Sequence, residues 1–134
     1  LARAMAAFAT ARDGHGARET AMHRLARSMG AHPDLVAGAG RACTELMRAM
    51  GDKVAIKTGA EGVFVAILPE KGLGIALKVL DGNSRASEAA IAHLLVRAGV
   101  LEAGHPATVK RLNPVQKNWR GIETGEIRVA SGFA

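Results

Sequence analysis

The stretch KVAIKTGAEGVFVAILPEKGLGIALKVLDG, residues 53–82, decides the fold of this chain. It holds three apolar runs separated by glycine-bearing turns. In the first, Val54, Ile56 and Thr58 share one face of a strand, while Ala55, Lys57 and Gly59 share the other. The second, Val63–Leu68, is apolar on both faces, as a strand covered on both sides must be. The third, residues 73–80, sets Leu73, Ile75, Leu77 and Val79 against Gly74, Ala76 and Lys78. Glu61-Gly62 and Pro69-Glu70-Lys71-Gly72 are short enough for antiparallel hairpins. The stretch therefore predicts an α+β domain built on three consecutive antiparallel strands, with helices packed on them. A face of small residues bearing two lysines is more open than a plain core needs, and predicts room for a ligand.

Outward from the strands the pattern changes to helical spacing. Residues 1–11 place Leu1, Met5 and Phe8 on one side, and Asp13-Gly14 and Gly16 end that helix. Residues 18–29 carry a stripe of Met22, Leu25, Ala26 and Met29, stopped by Gly30. His32-Pro33-Asp34 opens one helical turn, with Asp34 as its first-turn acid, and Gly38 and Gly40 close it. Residues 42–50 form a further helix with Cys43, Leu46, Met47 and Met50 on its apolar side. After the strands, Asp81-Gly82-Asn83-Ser84 supplies turn and cap chemistry for a helix reaching Ala98, which buries Ile91, Leu94 and Leu95. Residues 100–134 are weakly periodic and predict a surface-hugging segment, with Gly121-Ile122 and Glu126-Ile127-Arg128-Val129 as a last strand. Trp119 there reads as a clamp that packs this tail onto the core.

A chain of 134 residues, 49% hydrophobic and 22% charged, suits one globular domain rather than a disordered segment. Its formal charge is +6, but the basic residues are scattered, and one Trp, three Phe and no Tyr leave little for stacking bases. That balance argues against a nucleic-acid partner. No apolar run approaches the roughly 20 residues of a membrane helix. The single cysteine, Cys43, allows no internal disulfide and fits a reducing, cytoplasmic setting. Leu1 lies in a helical pattern already under way, so the expectation is a piece of something longer.

Lys57 is the strongest candidate for chemistry. A lysine on a sheet face lined by alanine and glycine is either partly desolvated or a fixed positive anchor. The small residues after it let backbone N–H groups near Gly59 and Ala60 approach a substrate oxygen, as an oxyanion site requires. The competing reading is a strand lysine whose stem lies on the sheet and whose head reaches water. Cys43 is either a small core residue or a thiol facing the same space as Lys57. Lys78, Asp81 and Arg85 form a polar set at a strand-to-helix corner, structural or site-lining. His93 reads as a surface residue. No Cys-x-x-Cys or His-x-x-x-His spacing offers a metal site.

Lys57-Thr58-Gly59 is the Lys-Thr-Gly element of penicillin-binding proteins and serine β-lactamases, whose other elements are Ser-x-x-Lys and Ser-Asp-Asn. Longer text is more specific. HPDLVAG at 32–38, Cys43, KTGAEGVFVAILPEKGLGIALKVLDGNSRASEAA at 57–90 and NWRGIETGEIRV at 118–129 together resemble the C-terminal part of the rhizobial-type L-asparaginases. The resemblance implies a serine-β-lactamase-like fold and hydrolysis of L-asparagine to L-aspartate and ammonia. It implies that a Ser-x-x-Lys serine attacks the side-chain amide, that lysines manage its protons, and that donors on the Lys-Thr-Gly strand hold the oxyanion. Lys57 then matches the second active-site lysine; Thr58, Gly59 and Ala60 match the strand beside the substrate; and Cys43 matches a cysteine found near the site in some members. The family's nucleophile and its zinc, held by cysteine-rich sequence, belong to an N-terminal half not found here. Ser28, Ser84, Ser87 and Ser131 are followed three places on by Ala31, Ser87, Ala90 and Ala134, so no Ser-x-x-Lys occurs, and Ser-Asp-Asn is also missing. The expectation is a half-site, inactive alone, with an exposed apolar face that favours a homo-oligomer or docking of the missing half. A non-catalytic or degenerate β-lactamase-fold binding or structural domain, and a penicillin-recognising enzyme, remain as alternatives.

Overall fold

The computed structural model describes residues 1–132 of the chain. Three strands, β1 (Ala55–Thr58), β2 (Val63–Leu68) and β3 (Leu73–Lys78), form an antiparallel sheet in the order β1-β2-β3. The register pairs Ile56 with Ala66 and Ala66 with Ile75, and pairs Lys57 with Val65 and Val65 with Ala76. Because side chains alternate along each strand, this alignment gives the sheet two distinct faces.

One face carries Val54, Ile56, Phe64, Ala66 and Leu68, all buried. Two helices cover it: α4 (Ala42–Met50), through Cys43, Leu46, Met47 and Met50, and α5 (Ser84–Arg97), through Ile91 and Leu95. The stripe spacing on α4 is why that helix lies flat on the sheet. Gly51, at a φ of 67°, ends α4 in a backbone conformation that other residues adopt only at a cost. Asn83 starts α5, its side chain accepting the Arg85 N–H at 3.0 Å.

The opposite face is covered at one end by α1 (Ala2–Thr10) and α2 (Ala17–Ala31). Ala9 and Ala26 are buried there against Ala55 and Ile67, with Met5, Phe8 and Met29 packed around them. Gly74 shows how close the approach is, since a Cβ on it would fall on the backbone of Met5 and Ala6. The small residues of this face thus serve at that end as a seat for α1, which corrects the expectation of an open ligand space along the whole face. Toward the other end, beyond Gly74, Lys57, Val63, Val65 and Ala76 are half-buried and Lys78 is exposed.

The chain after α5 departs most from expectation. Pro106–Leu112 is a helix, α6, with proline in its first turn and the His105 ring accepting the Ala107 N–H at 3.2 Å. It is followed by a two-stranded hairpin, β4 (Val115–Lys117) and β5 (Glu123–Glu126), so the last strand lies between the two expected pieces, Gly121-Ile122 and 126–129, and shares only Glu126 with them. Trp119 sits at the hairpin tip and is fully exposed, so it clamps nothing within the described residues. The cause is local: the Asn118 side chain accepts the N–H groups of Arg120 and Ile122, and that turn points Trp119 outward. Leu25, expected on the buried stripe of α2, is 58% exposed. His93 is half-buried rather than superficial, and its Nε2 donates to the Leu112 carbonyl at 2.8 Å, tying α5 to the end of α6. α6 is held further by Arg111, which is buried, reaches Glu45 on α4 at 2.6 Å and lies 3.5 Å from Glu88 on α5.

Candidate functional site

The outer edge of β1 is where the candidate residues meet. An edge strand presents every second N–H and C=O away from its partner, and each needs an acceptor, a donor or water. On β1 two of these N–H groups meet sulfur on α4. The Ile56 N–H lies 3.5 Å from Met47 Sδ, and the Thr58 N–H lies 3.2 Å from Cys43 Sγ. The periodicity of α4 delivers both contacts, because residues 43 and 47 stand one above the other on one helix face.

Of the two sequence readings of Cys43, the structure places it as the core residue, on the face of the sheet opposite to Lys57. It is a core residue, 1% exposed, and its sulfur also touches the Lys-Thr-Gly strand. Burial pushes its thiol pKa up, and the Thr58 N–H and the charges of Lys57 and Arg41 only partly offset that. Such a thiol stays protonated near neutral pH and is a poor nucleophile.

Lys57 lies on the other face of β1, half-buried, in a row with Val65 and Ala76. Its Nζ donates to the Thr58 carbonyl at 2.7 Å. Among the described residues it has no carboxylate partner and no hydroxyl in hydrogen-bond contact, so its charge is uncompensated. The Thr58 hydroxyl lies within 3.3 Å of the Gly59 carbonyl and 3.5 Å of the Val63 carbonyl.

Beyond Thr58 the ladder is interrupted. The Gly59 N–H donates to the Val63 carbonyl at 2.8 Å, while the Val63 N–H donates to the Ala60 carbonyl at 3.2 Å. Two residues thus stand opposite one, as in a β-bulge, and the strand end bends. Ala60 is exposed, and among the described residues nothing accepts its N–H. The chain then turns through Glu61 and Gly62, both with positive φ, at 55° and 71°. For glutamate that left-handed geometry costs on the order of 1 kcal/mol. Along this rim the amides of residues 56 and 58 end on sulfur, and that of Ala60 is left as a free donor within three residues of an unpaired ammonium.

The structure thus gathers Lys57, Thr58, Gly59, Ala60 and Cys43 at one end of one strand. It does not join Lys78, Asp81 and Arg85 into one ion network. Arg85 pairs with Asp81 at 3.3 Å, while Lys78 Nζ donates to the carbonyls of Glu61 and Val79. Met47 was visible in the sequence only as part of an apolar stripe; its contact with the Ile56 N–H follows from helix spacing together with strand alternation. Among the described residues no three His, Cys, Asp or Glu side chains group to hold a metal ion. No helix of the described residues is long and apolar enough to cross a membrane.

No curated protein sequence matches the chain significantly. A sequence model of the L-asparaginase II family does match it, over residues 1–129, which takes in the sheet, the sulfur-capped edge, the Ala60 rim and the terminal hairpin. The chain belongs to the L-asparaginase II family.

Proposed function

We propose that this chain forms the Lys-Thr-Gly wall of an L-asparagine amidohydrolase site, with Lys57 as its positive group and the Ala60 N–H as an oxyanion donor. The observation that carries this reading is the free Ala60 N–H, three residues after a lysine with no carboxylate partner, on a strand edge whose amides at Ile56 and Thr58 end on sulfur. The reaction needs a nucleophile, and residues 1–134 contain no serine with a lysine three places on. A serine on a segment outside this sequence, the N-terminal half of the site, would add its hydroxyl oxygen to the side-chain amide carbon. The hydroxyl proton passes to a base, and the carbonyl oxygen takes up the negative charge. The Ala60 N–H then donates a hydrogen bond to that oxyanion, and Lys57 stabilises its charge from a fixed position. The base hands the hydroxyl proton to the amide nitrogen, and collapse breaks the C–N bond and expels ammonia. Water then hydrolyses the acyl ester to aspartate and the free serine.

Ammonia release from L-asparagine tests the assignment in the protein that carries both halves. Lys57→Ala should lower kcat, and Ala60→Pro, which deletes one oxyanion donor, should lower it by about 10²–10³-fold. Wild-type turnover in both variants would sink the reading. The 134-residue chain alone should release no ammonia, and measurable turnover from it would overturn the half-site assignment. A non-catalytic domain predicts instead that L-asparagine leaves the Lys57 and Ala60 amide resonances unmoved.

A further inference from the structure

Lys78 stands at the end of β3, opposite Val63, and carries a positive charge with no carboxylate partner among the described residues. Its ammonium spans two carbonyls, that of Glu61 at 2.5 Å and that of Val79 at 2.8 Å. These carbonyls belong to different corners of the fold. Glu61 is in the β1–β2 turn directly after Ala60, and Val79 lies between β3 and α5. The two corners also touch through backbone. The Val79 N–H donates to the Gly62 carbonyl at 3.1 Å, and a Cβ on Gly62 would meet Gly82 and Val79 at 3.1 Å.

We propose that Lys78 is a positioning residue for the Ala60 donor, strapping the turn that carries it to the β3–α5 corner. This rests on the reading of Ala60 as an oxyanion donor. The turn has reason to need a strap. Glu61 holds a left-handed conformation unfavourable to a residue with a side chain, and such strain persists only where the surroundings enforce it. An ammonium on the Glu61 carbonyl is a charge-assisted bond of the stronger class. On the near side the Thr58 N–H is tied to Cys43 Sγ, so the segment between, Gly59–Ala60, is fixed at both ends. Catalysis by a hydrogen-bond donor depends on its being aimed beforehand, and Lys78 supplies the aim from the side away from α4.

Two measurements separate the strap from the chemistry. In the 134-residue chain, Lys78→Met should speed amide exchange at Val63 and Val79 by about tenfold, the change expected for a lost charge-assisted bond. Phe64 and Ala66 amides, in the sheet itself, should keep their wild-type rates. Lys78→Arg, which restores a cationic donor, should return Val63 and Val79 most of the way. Exchange within about twofold of wild type in Lys78→Met would overturn the strap. In the asparaginase assay the same variant should lower kcat and leave KM unchanged. If Ala60→Pro abolishes turnover while Lys78→Met leaves kcat intact, the positioning role is wrong and the reading of Ala60 stands. If neither variant moves kcat, the reading of Ala60 is wrong as well.

Discussion

Gly74→Ala tests whether the small-residue face of the sheet is a seat for a helix or an open surface. The added Cβ would fall on the backbone of Met5 and Ala6, and a backbone cannot swing aside as a long side chain does. Helix α1 must therefore lift as a body, or β3 must deform. Forcing a methyl into a filled interior costs roughly 1–3 kcal/mol, and rigid main-chain opposition puts this site at the upper end. An independent route agrees. Undocking α1 exposes Ala9 and the half-buried apolar parts of Met5 and Phe8, a loss of about 3 kcal/mol at ordinary burial values. For a domain of this size about 3 kcal/mol lowers Tm by roughly 10 °C. Urea unfolding at neutral pH gives the free energy directly, and an added Met5→Ala should recover little, because the clash is with main chain. A change below about 0.5 kcal/mol, an ordinary surface effect, would refute the packing and reinstate an open face from Gly74 to Lys57.

Two further predictions concern titrating groups. The Arg111 guanidinium on Glu45, helped by Lys110, holds the Glu45 carboxyl below its usual pKa, against the opposing effect of burial. A depressed folded pKa means that this contribution to stability is present above the ordinary glutamate pKa and lost as pH falls through the folded value. Urea midpoints measured downward from pH 6 should therefore fall less steeply for Glu45→Gln than for wild type, and parallel slopes would refute the pairing. Cys43, buried and with its pKa raised, should react with iodoacetamide about a hundredfold or more slowly in native protein than in urea. Labelling at the unfolded rate would show that the thiol is not held in the core.

The parts of the fold visible in the sequence are those set by local rules. The two hairpins were legible because Glu61-Gly62 and Pro69–Gly72 interrupt strands of clear alternation. α4 was legible because four apolar residues fall on one side and Gly51 ends it. α6 was not, being only seven residues long with little periodicity, although Pro106 after His105 was a usable signal for its start. Trp119 misled because indole burial is a strong average tendency, whereas the Asn118 turn decides this case. At the site, Lys57, Thr58, Gly59 and Ala60 were legible as one strand end. What joined them to Cys43, Met47 and Lys78 depends on which way β1 turns its edge, and that is set by pairing between distant residues. The split of the small-residue face was invisible for the same reason: whether Gly74 faces space or a helix depends on where residues 2–10 dock.

The sulfur caps on β1 bear on how the sheet can grow. A thiol and a thioether are weak acceptors, yet they occupy the positions at which another strand would have to pair. Helix α4 therefore closes that side to lateral addition without itself being a strand. The order β1-β2-β3 leaves the opposite edge, along Leu73–Lys78, with no strand beside it among the described residues. Any lateral extension of this sheet by a further strand, as in aggregation from a destabilised state, is directed to the β3 side.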